Sequence, residues 1–399
     1  MQQISHALLR LTFVAILAGG EGTRLFPMSH SMRPKQFCPL DKENTFIQAT
    51  VKRFVDLGVK PAQVIVVTTN PEQTRLAREQ LKPLGVLTQN ILEINSVFGY
   101  AGAMVKAAAF IKALNEDALI INTPADQFIA ADEDFTNTVK QALEGAAGGS
   151  PTIVGVKVND LNTIMGCGHA KYDLAEESEC KSVIAFVEKP DKKEADRLMK
   201  ANNSACNTGI NVWRVEDVLA AVDGRDLEAG LATDALMEAL KDRLKIAFGR
   251  FAWYDCGTLK SLHDISQKTA DDKSAMLGDG DVYRHNCHGS LFVTMGGIEL
   301  HAAGVKDTAV VVNEVDGRII VAVVSLGDSQ KVGKLAEDYK SNSSVLQEDL
   351  VMGGRNNRVP QTAISHEVVT MFVGVDKHTI TTLKLPDSRI LISVSSDVA

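Results

Sequence analysis

Phe13-Val14-Ala15-Ile16-Leu17-Ala18-Gly19-Gly20-Glu21-Gly22-Thr23-Arg24-Leu25-Phe26-Pro27 is the stretch from which the rest of the chain can be read. Residues 13–18 are apolar without alternation, which is how a strand buried on both faces reads. Directly behind them Gly19, Gly20 and Gly22 permit a sharp turn whose backbone N–H groups can face an anion. Arg24, and Lys35 further along in Arg33-Pro34-Lys35-Gln36-Phe37, supply formal charge for a polyphosphate. Two familiar phosphate loops do not fit. No Gly-x-x-x-x-Gly-Lys-Ser/Thr is present, and Leu25 stands where the third glycine of the dinucleotide fingerprint belongs. A glycine turn with a surface Arg and Lys is the bland explanation; two cations among so many Gly and Pro breaks make an anion site the better one.

Outward from this loop the same grammar repeats. Strand-like runs at 64–69, 91–94, 118–122, 152–158 and 182–187 alternate with helical patterns at 101–114 and 191–201. Asn44 is placed to cap a helix whose Ile47, Val51, Phe54 and Val55 share one face. The pattern predicts an α/β fold, a mostly parallel Rossmann-like sheet covered on both faces. Residues 266–280 are polar, with Asp271-Asp272-Lys273-Ser274 and Gly278-Asp279-Gly280, and read as a linker. They separate a domain of residues 1–265 from a β-rich C-terminal region of residues 281–399, divisible into modules 281–340 and 341–399. In the first module, runs at 309–313 and 318–324 flank a Val315-Asp316-Gly317 turn, followed by a helix at 328–340. The second carries β patterns at 367–375 and 379–394. Gly304-Val305 with Gly317-Arg318-Ile319-Ile320 and Gly374-Val375 with Ser388-Arg389-Ile390-Leu391 share a short likeness, which two generic hairpins explain nearly as well as a duplication. The region after residue 281 is expected to serve assembly or stability rather than chemistry, and its strand edges predict a symmetric homo-oligomer.

Composition narrows the function classes. At 399 residues, 45% hydrophobic and 23% charged, with mean hydropathy −0.01, the chain is an ordinary globular one of two to three domains. The net charge of −8 argues against a nucleic-acid partner; an acidic chain binds a polyphosphate only through a local cation cluster and a metal. Six cysteines without paired spacing (Cys38, Cys167, Cys180, Cys206, Cys256, Cys287) read as reduced thiols of a cytoplasmic protein. His285, Cys287, His288 and His301 lack the partners that would complete a tetrahedral metal set. The apolar stretch 7–18 is broken by Arg10, is too short to span a bilayer and has no basic lead-in, so neither a membrane partner nor a signal peptide is expected.

The glycine-rich stretch with its Pro34-Lys35-Gln36-Phe37 ending resembles the signature loop of the sugar-1-phosphate nucleotidylyltransferases, most of all the bacterial mannose-1-phosphate guanylyltransferases. Further landmarks follow in order: Pro124-Ala125-Asp126, Phe186-Val187-Glu188-Lys189-Pro190, Asn207-Thr208-Gly209 and Trp253-Tyr254-Asp255-Cys256-Gly257. Each is weak alone, and five in order are strong. The resemblance covers about residues 13–335. It implies transfer of a nucleotidyl group from a nucleoside triphosphate, GTP, to a sugar 1-phosphate, mannose 1-phosphate, with Mg²⁺ as cofactor.

Residue roles follow from the resemblance. Leu17, Ala18, Gly19, Gly20, Gly22, Thr23 and Arg24, with Gly99, Ala101 and Gly102 of a small-residue turn, would hold the nucleotide. Lys35, Gly168, Glu188, Lys189, Asn207 and Thr208 would hold the sugar phosphate, and Arg24, Lys35, Asp126, Lys189 and Asp255 would act in catalysis. Asp126 and Asp255 would hold the metal. Each of these two also follows an apolar run, at the strand end where open α/β sheets bind ligands; a turn or cap explains either one alone equally well. Gly99-Tyr100-Ala101-Gly102-Ala103 and Gly166-Cys167-Gly168-His169 depart from the guanylyltransferase pattern, which leaves open another base or sugar (a GDP-heptose, UDP-sugar or ADP-sugar). A non-catalytic nucleotide-sugar-binding paralogue is the rival of a different class. Tyr100 could stack on a purine or fill the core.

Overall fold

In a computed structural model, which describes residues 4–20, 23–94, 99–222, 233–342, 368–373, 379–384 and 390–395, the apolar run of the signature becomes strand β1 (Thr12–Leu17). Its Val14 and Ile16 are fully buried, and β2 (Val64–Thr68) and β4 (Leu119–Pro124) lie parallel on either side of it. The chain divides into two units. The first comprises Met1–Gly19 and Ile47–Asp255, the second Gly20–Phe46 and Cys256–Ala399.

The first unit continues with β3 (Ile91–Glu93), β5 (Phe128–Ile129), β6 (Thr152–Val156), β7 (His169–Tyr172), β8 (Cys180–Val187), β9 (Ser204–Arg214), β10 (Lys245–Gly249) and β11 (Trp253–Tyr254). Among the described residues, nine of these strands form one sheet in the order β3-β2-β1-β4-β9-β6-β10-β8-β7, and β5 pairs with β11 as a separate ribbon. The Ala-rich helix Gly99–Leu114 lies against the sheet, because Ala101, Ala107 and Ala108 let its backbone approach the core around Phe13, Ile65 and Trp213.

The sheet is not mostly parallel. Its β3-β2-β1-β4 half is parallel, but β9 runs antiparallel to both β4 and β6, and β8 antiparallel to β10 and β7. An apolar run reports burial and not direction. The telling feature is in β8, where Ile184 is 62% exposed, its neighbour Ala185 is exposed too and no residue is buried: such a strand does not belong to a parallel sheet covered on both faces. Asn44 does not cap the helix Phe46–Asp56; its amide donates to Asp41 Oδ1 at 3.3 Å in the preceding turn. The segment before β1 forms a short helix, His6–Leu11, capped by Ser5.

The second unit holds β12 (Ala275–Gly278), β13 (Val282–His285), β14 (Leu291–Thr294), β15 (Leu300–Ala303), β16 (Thr308–Val315), β17 (Arg318–Ser325), β18 (Val368–Val373), β19 (Thr379–Lys384) and β20 (Ile390–Ser395). From β12 to β16 successive strands alternate between two sheets, so that Ala275, Leu291 and Ala309 stack in parallel register in one, and Val282 stacks on Leu300 in the other. Such a coil buries its inward residues rung on rung, here Phe292, Leu300, Val310 and Val312. The stretch 266–280 is therefore not simply a linker: β12 lies inside it. Its glycines read as loop residues but make corners. A Cβ on Gly278 (φ +96°) would stand 1.8 Å from the Thr294 carbonyl oxygen, and one on Gly280 2.0 Å from that of Ile298. The β16–β17 hairpin turns at Asp316 (φ +53°) and Gly317 (φ +75°), the two positive dihedrals that a tight hairpin turn needs. A short 3₁₀ segment, Leu326–Lys331, precedes the helix Val332–Asn342. Of the short internal likeness, Arg318 opens β17 and Ile390 opens β20, each the second strand of an antiparallel pair; the turns at 374–378 and 385–389 lie outside the described residues. No helix among the described residues is long and apolar enough to cross a membrane.

Candidate active site

At the carboxyl end of the parallel half-sheet, Ala18 N–H donates to the Val67 carbonyl (2.8 Å) and Ala125 N–H to that of Leu17 (3.2 Å). These bonds fix the ends of β1 and β4 in register, so the signature leaves β1 at Gly19. A Cβ there would meet Thr69 Cγ2 at 2.9 Å, and Gly20 turns the chain at φ +97°. Gly22 lies outside the described residues, and Thr23 and Arg24 open a 3₁₀ turn with Arg24 exposed.

Asp126, half-buried, stands two residues beyond the end of β4, and Asp255, exposed, directly follows β11. The β5–β11 ribbon brings the two positions to one place. It pairs Phe128 with Tyr254, so that Asp255 and Asp126 continue from the same end of the ribbon. Gln127 anchors this end: its side-chain carbonyl accepts from Trp253 Nε1 (3.1 Å), and its backbone carbonyl from an Arg53 guanidinium nitrogen (3.4 Å). Two carboxylates a long way apart in sequence thus share one edge of the unit.

The sugar-side landmarks also meet. Asn207 N–H donates to the Gly168 carbonyl (2.8 Å), and a Cβ on Gly168 would lie 2.6 Å from both Glu188 Oε2 and Phe186 Cζ, so glycine lets the backbone run close beside these side chains. Asn207 Oδ1 accepts from Gly209 N–H (3.0 Å), which shapes the turn, and Gly209 (φ +78°) packs against Pro124, where a Cβ would come within 2.8 Å of Cγ. Thr208 is fully buried, with its hydroxyl donated to the Val154 carbonyl (2.9 Å); what it can offer a ligand is backbone. Lys189 is exposed and holds φ +43° directly before Pro190. A lysine in this region costs on the order of 1–3 kcal/mol, and such strain persists where the surroundings enforce it.

Gly99 opens the helix Gly99–Leu114, with Ala101 and Gly102 fully buried behind it. Tyr100 packs on the core, and its hydroxyl accepts from the amides of Asn122 and Asn211, the latter at 3.2 Å. Burial holds that hydroxyl protonated well above the usual phenol range. Asn122 also accepts from Trp213 Nε1. The helix start is therefore pinned to β4 and β9 by a polar network that the sequence reading missed. Its one signal was a lone Asn at the end of an apolar strand.

In the second unit, Lys35 is only 5% exposed and sits 5.4 Å from the centroid of the Phe46 ring, while Gln36 Nε2 reaches the Gly20 carbonyl at 3.5 Å. The signature is tied to the β-rich part of this unit. Asn313 of β16, 4% exposed, donates to the Pro27 carbonyl (2.7 Å), and the Phe26 ring packs on Tyr339 with centroids 5.3 Å apart. The chain beyond residue 281, expected to serve assembly or stability, thus holds the signature loop in place.

The cysteine reading is corrected as well. Cys167 and Cys206 form a disulfide across 39 residues, because β7 and β9 pair His169 opposite Cys206 and Cys167 lies two residues before His169. Spacing along the chain carries no trace of that pairing.

Residues 14–272 match the model of the nucleotidyl transferase family. The chain belongs to that family. It is 29% identical over 362 residues to a mannose-1-phosphate guanylyltransferase of Sinorhizobium fredii, covering 83% of this chain and 66% of the relative. To one of Escherichia coli it is 28% identical, covering 74% and 69%. The chain thus spans about two-thirds of the length of these relatives. A solved structure from Thermus thermophilus, titled a mannose-1-phosphate geranyltransferase, superposes with a TM-score of 0.66 at 23% identity, over 83% of this chain and 99% of that one, and so shares the fold.

Proposed function

We propose that this chain transfers a nucleotidyl group from a nucleoside triphosphate to a sugar 1-phosphate and releases pyrophosphate, with GTP and mannose 1-phosphate as the preferred pair. The observation that carries the reading is the convergence in one unit of Asp126 with Asp255, and of Gly168, Glu188 and Asn207, at positions scattered between 126 and 255 in the sequence. The substrate pair rests on the guanylyltransferase relatives and on the Pro34-Lys35-Gln36-Phe37 ending.

A phosphate oxygen of the sugar 1-phosphate attacks the α-phosphorus, and the bond to the bridging oxygen of pyrophosphate breaks. The nucleophile is already an anion and needs no general base. The residues must instead relieve repulsion between two anions and hold them in line. Lys189 offers a cation at the end of β8. Arg24, Lys35 and the backbone of the glycine turn serve the leaving phosphates, and Glu188 accepts hydrogen bonds from sugar hydroxyls. Asp126 and Asp255, two hard-oxygen donors with one half-buried and one exposed, fit Mg²⁺, which keeps room for water and phosphate oxygens. When bound, the ion supplies charge neutralisation at the phosphate oxygens.

The altered segments Gly99-Tyr100-Ala101-Gly102-Ala103 and Gly166-Cys167-Gly168-His169 favour a second reading, the same chemistry on another base or sugar. Pyrophosphate release measured for GTP, ATP, UTP, CTP and dTTP at fixed mannose 1-phosphate, then with the sugar phosphate exchanged, tests both. GTP with mannose 1-phosphate is expected to give the highest kcat/KM. A higher value for another pair replaces the substrate assignment, and no release with any pair refutes the transfer reading.

A further inference from the structure

Cys38, Cys180 and Cys287 are thiols whose burial pushes their ionisation upward, Cys38 to about 12 and Cys180 to about 11. Such groups are inert as nucleophiles. Cys256 is buried as well; Cys167 and Cys206 differ in both partner and place. Cys167 is half-buried and Cys206 is 1% exposed, with Cα atoms 6.6 Å apart, inside the range a disulfide spans. The bond brackets Gly168. That residue's carbonyl holds Asn207 N–H, and the space where its side chain would be is taken by Glu188 Oε2.

We propose that Cys167 and Cys206 form a reversible thiol–disulfide modification site that takes small or protein disulfides as oxidant and dithiols as reductant, and that its state sets how well the adjoining Glu188–Asn207 region binds the sugar phosphate. The coupling to sugar phosphate rests on the function proposed above. In the oxidising direction the accessible Cys167 thiolate attacks a disulfide RSSR, forming Cys167–S–S–R and releasing RS⁻. The Cys206 thiolate then displaces the second RS⁻ and closes the Cys167–Cys206 bond. Two protein thiols are oxidised, one RSSR is reduced to two RSH, and the two protons pass from protein thiols to the released thiolates. In a glutathione-reduced compartment a bond of this kind is transient and regulatory rather than a permanent staple. Closing it ties the turn after the helix Leu161–Gly166 to β9 and fixes the backbone of Gly168 over the carboxylate. Opening it leaves the β7–β9 ladder as the remaining tie between the two segments.

The test uses the full chain equilibrated in buffers of graded oxidised to reduced glutathione, trapped with iodoacetamide and digested for peptide mass mapping. A peptide linking Cys167 to Cys206 is expected in oxidising buffer, with both thiols alkylated after dithiothreitol. Between the two states the KM for sugar 1-phosphate should differ at least about threefold while that for the nucleoside triphosphate stays level. Cys167→Ser should abolish the difference; Cys206→Ala, with its melting curve recorded, repeats the test should the first variant misfold. Absence of the linked peptide at every ratio overturns the site, and a linked peptide with an unchanged KM overturns the coupling to sugar phosphate. Stoichiometric zinc that shields both thiols also overturns it, since Cys167, His169 and Cys206 present ligand atoms within 4.8 Å of one another. The mapping needs no substrate, so its failure is independent of the function reading. A linked peptide in a chain that releases no pyrophosphate with any pair refutes that reading and the coupling, and leaves the thiol chemistry standing alone.

Discussion

The two units place their strained backbone differently. Among the described residues of the first, the non-glycine residue with positive φ is Lys189, beside Glu188 at the candidate site. In the second, Lys273, Asn286, Asp307 and Asp316 share that conformation, three of them the Asn/Asp type that tolerates it, at turns near the ends of β strands. Cys256, also at positive φ, stands at the boundary directly after Asp255. One unit carries its unfavourable conformation beside a carboxylate of the candidate site, the other where a coil must turn a corner. Damage to the first should therefore reach activity before stability, and damage to the second stability before activity.

Asp126→Asn gives the largest expected effect on the activity side: a loss of about two to four orders of magnitude in kcat at saturating Mg²⁺, with an unchanged melting curve. Near-normal turnover in the folded variant would remove Asp126 from the site. Gly278→Ala should do the reverse. Its Cβ would have to displace the Thr294 carbonyl oxygen 1.8 Å away, so a destabilisation above about 4 kcal/mol is expected in urea titrations. An intact coil in that variant would break the comparison.

Lys189→Gly separates the two quantities within one residue. Glycine relieves the left-handed strain, so stability should rise by about 1 kcal/mol while turnover collapses. A fall in both would mean that Lys189 is a structural residue. Asn313→Ala crosses the boundary of roles, because it leaves the buried Pro27 carbonyl without its donor. A cost of about 1–3 kcal/mol is expected, together with a KM for the nucleoside triphosphate raised about fivefold or more. If KM holds steady as stability drops, the anchor serves the second unit alone.

Glu176 sharpens the contrast from the quiet side of the first unit. Hydrogen bonds from Lys245 (2.7 Å), Ser178 (2.7 Å) and the Ser182 N–H hold its carboxyl down from 4.5 to about 2. A depressed carboxylate contributes stability above its ordinary value and loses that contribution as pH falls through the folded one. Glu176→Gln should flatten the loss of stability between about pH 4.5 and 2 and leave turnover at pH 7 unchanged. An identical acid profile for both forms would show that Lys245 and the carboxylate do not stabilise the fold.

By itself the sequence determined where strands end and what stands there. Residues 13–18 and 118–122 had to be buried strands, and Gly19, Asp126, Glu188 and Asp255 follow strand-forming runs, because apolar periodicity and glycine chemistry are local. Tertiary structure decided everything that depends on which strand lies beside which. An apolar run has no direction, so β9 between β4 and β6 was hidden, and with it the meeting of Cys167 and Cys206 across β7 and β9. The Gly278-Asp279-Gly280 corner read as a linker because glycine signals a free backbone and a crowded one alike. Asn313 looked like one polar residue in a strand until its amide met the carbonyl of Pro27, a partner no spacing rule connects to it.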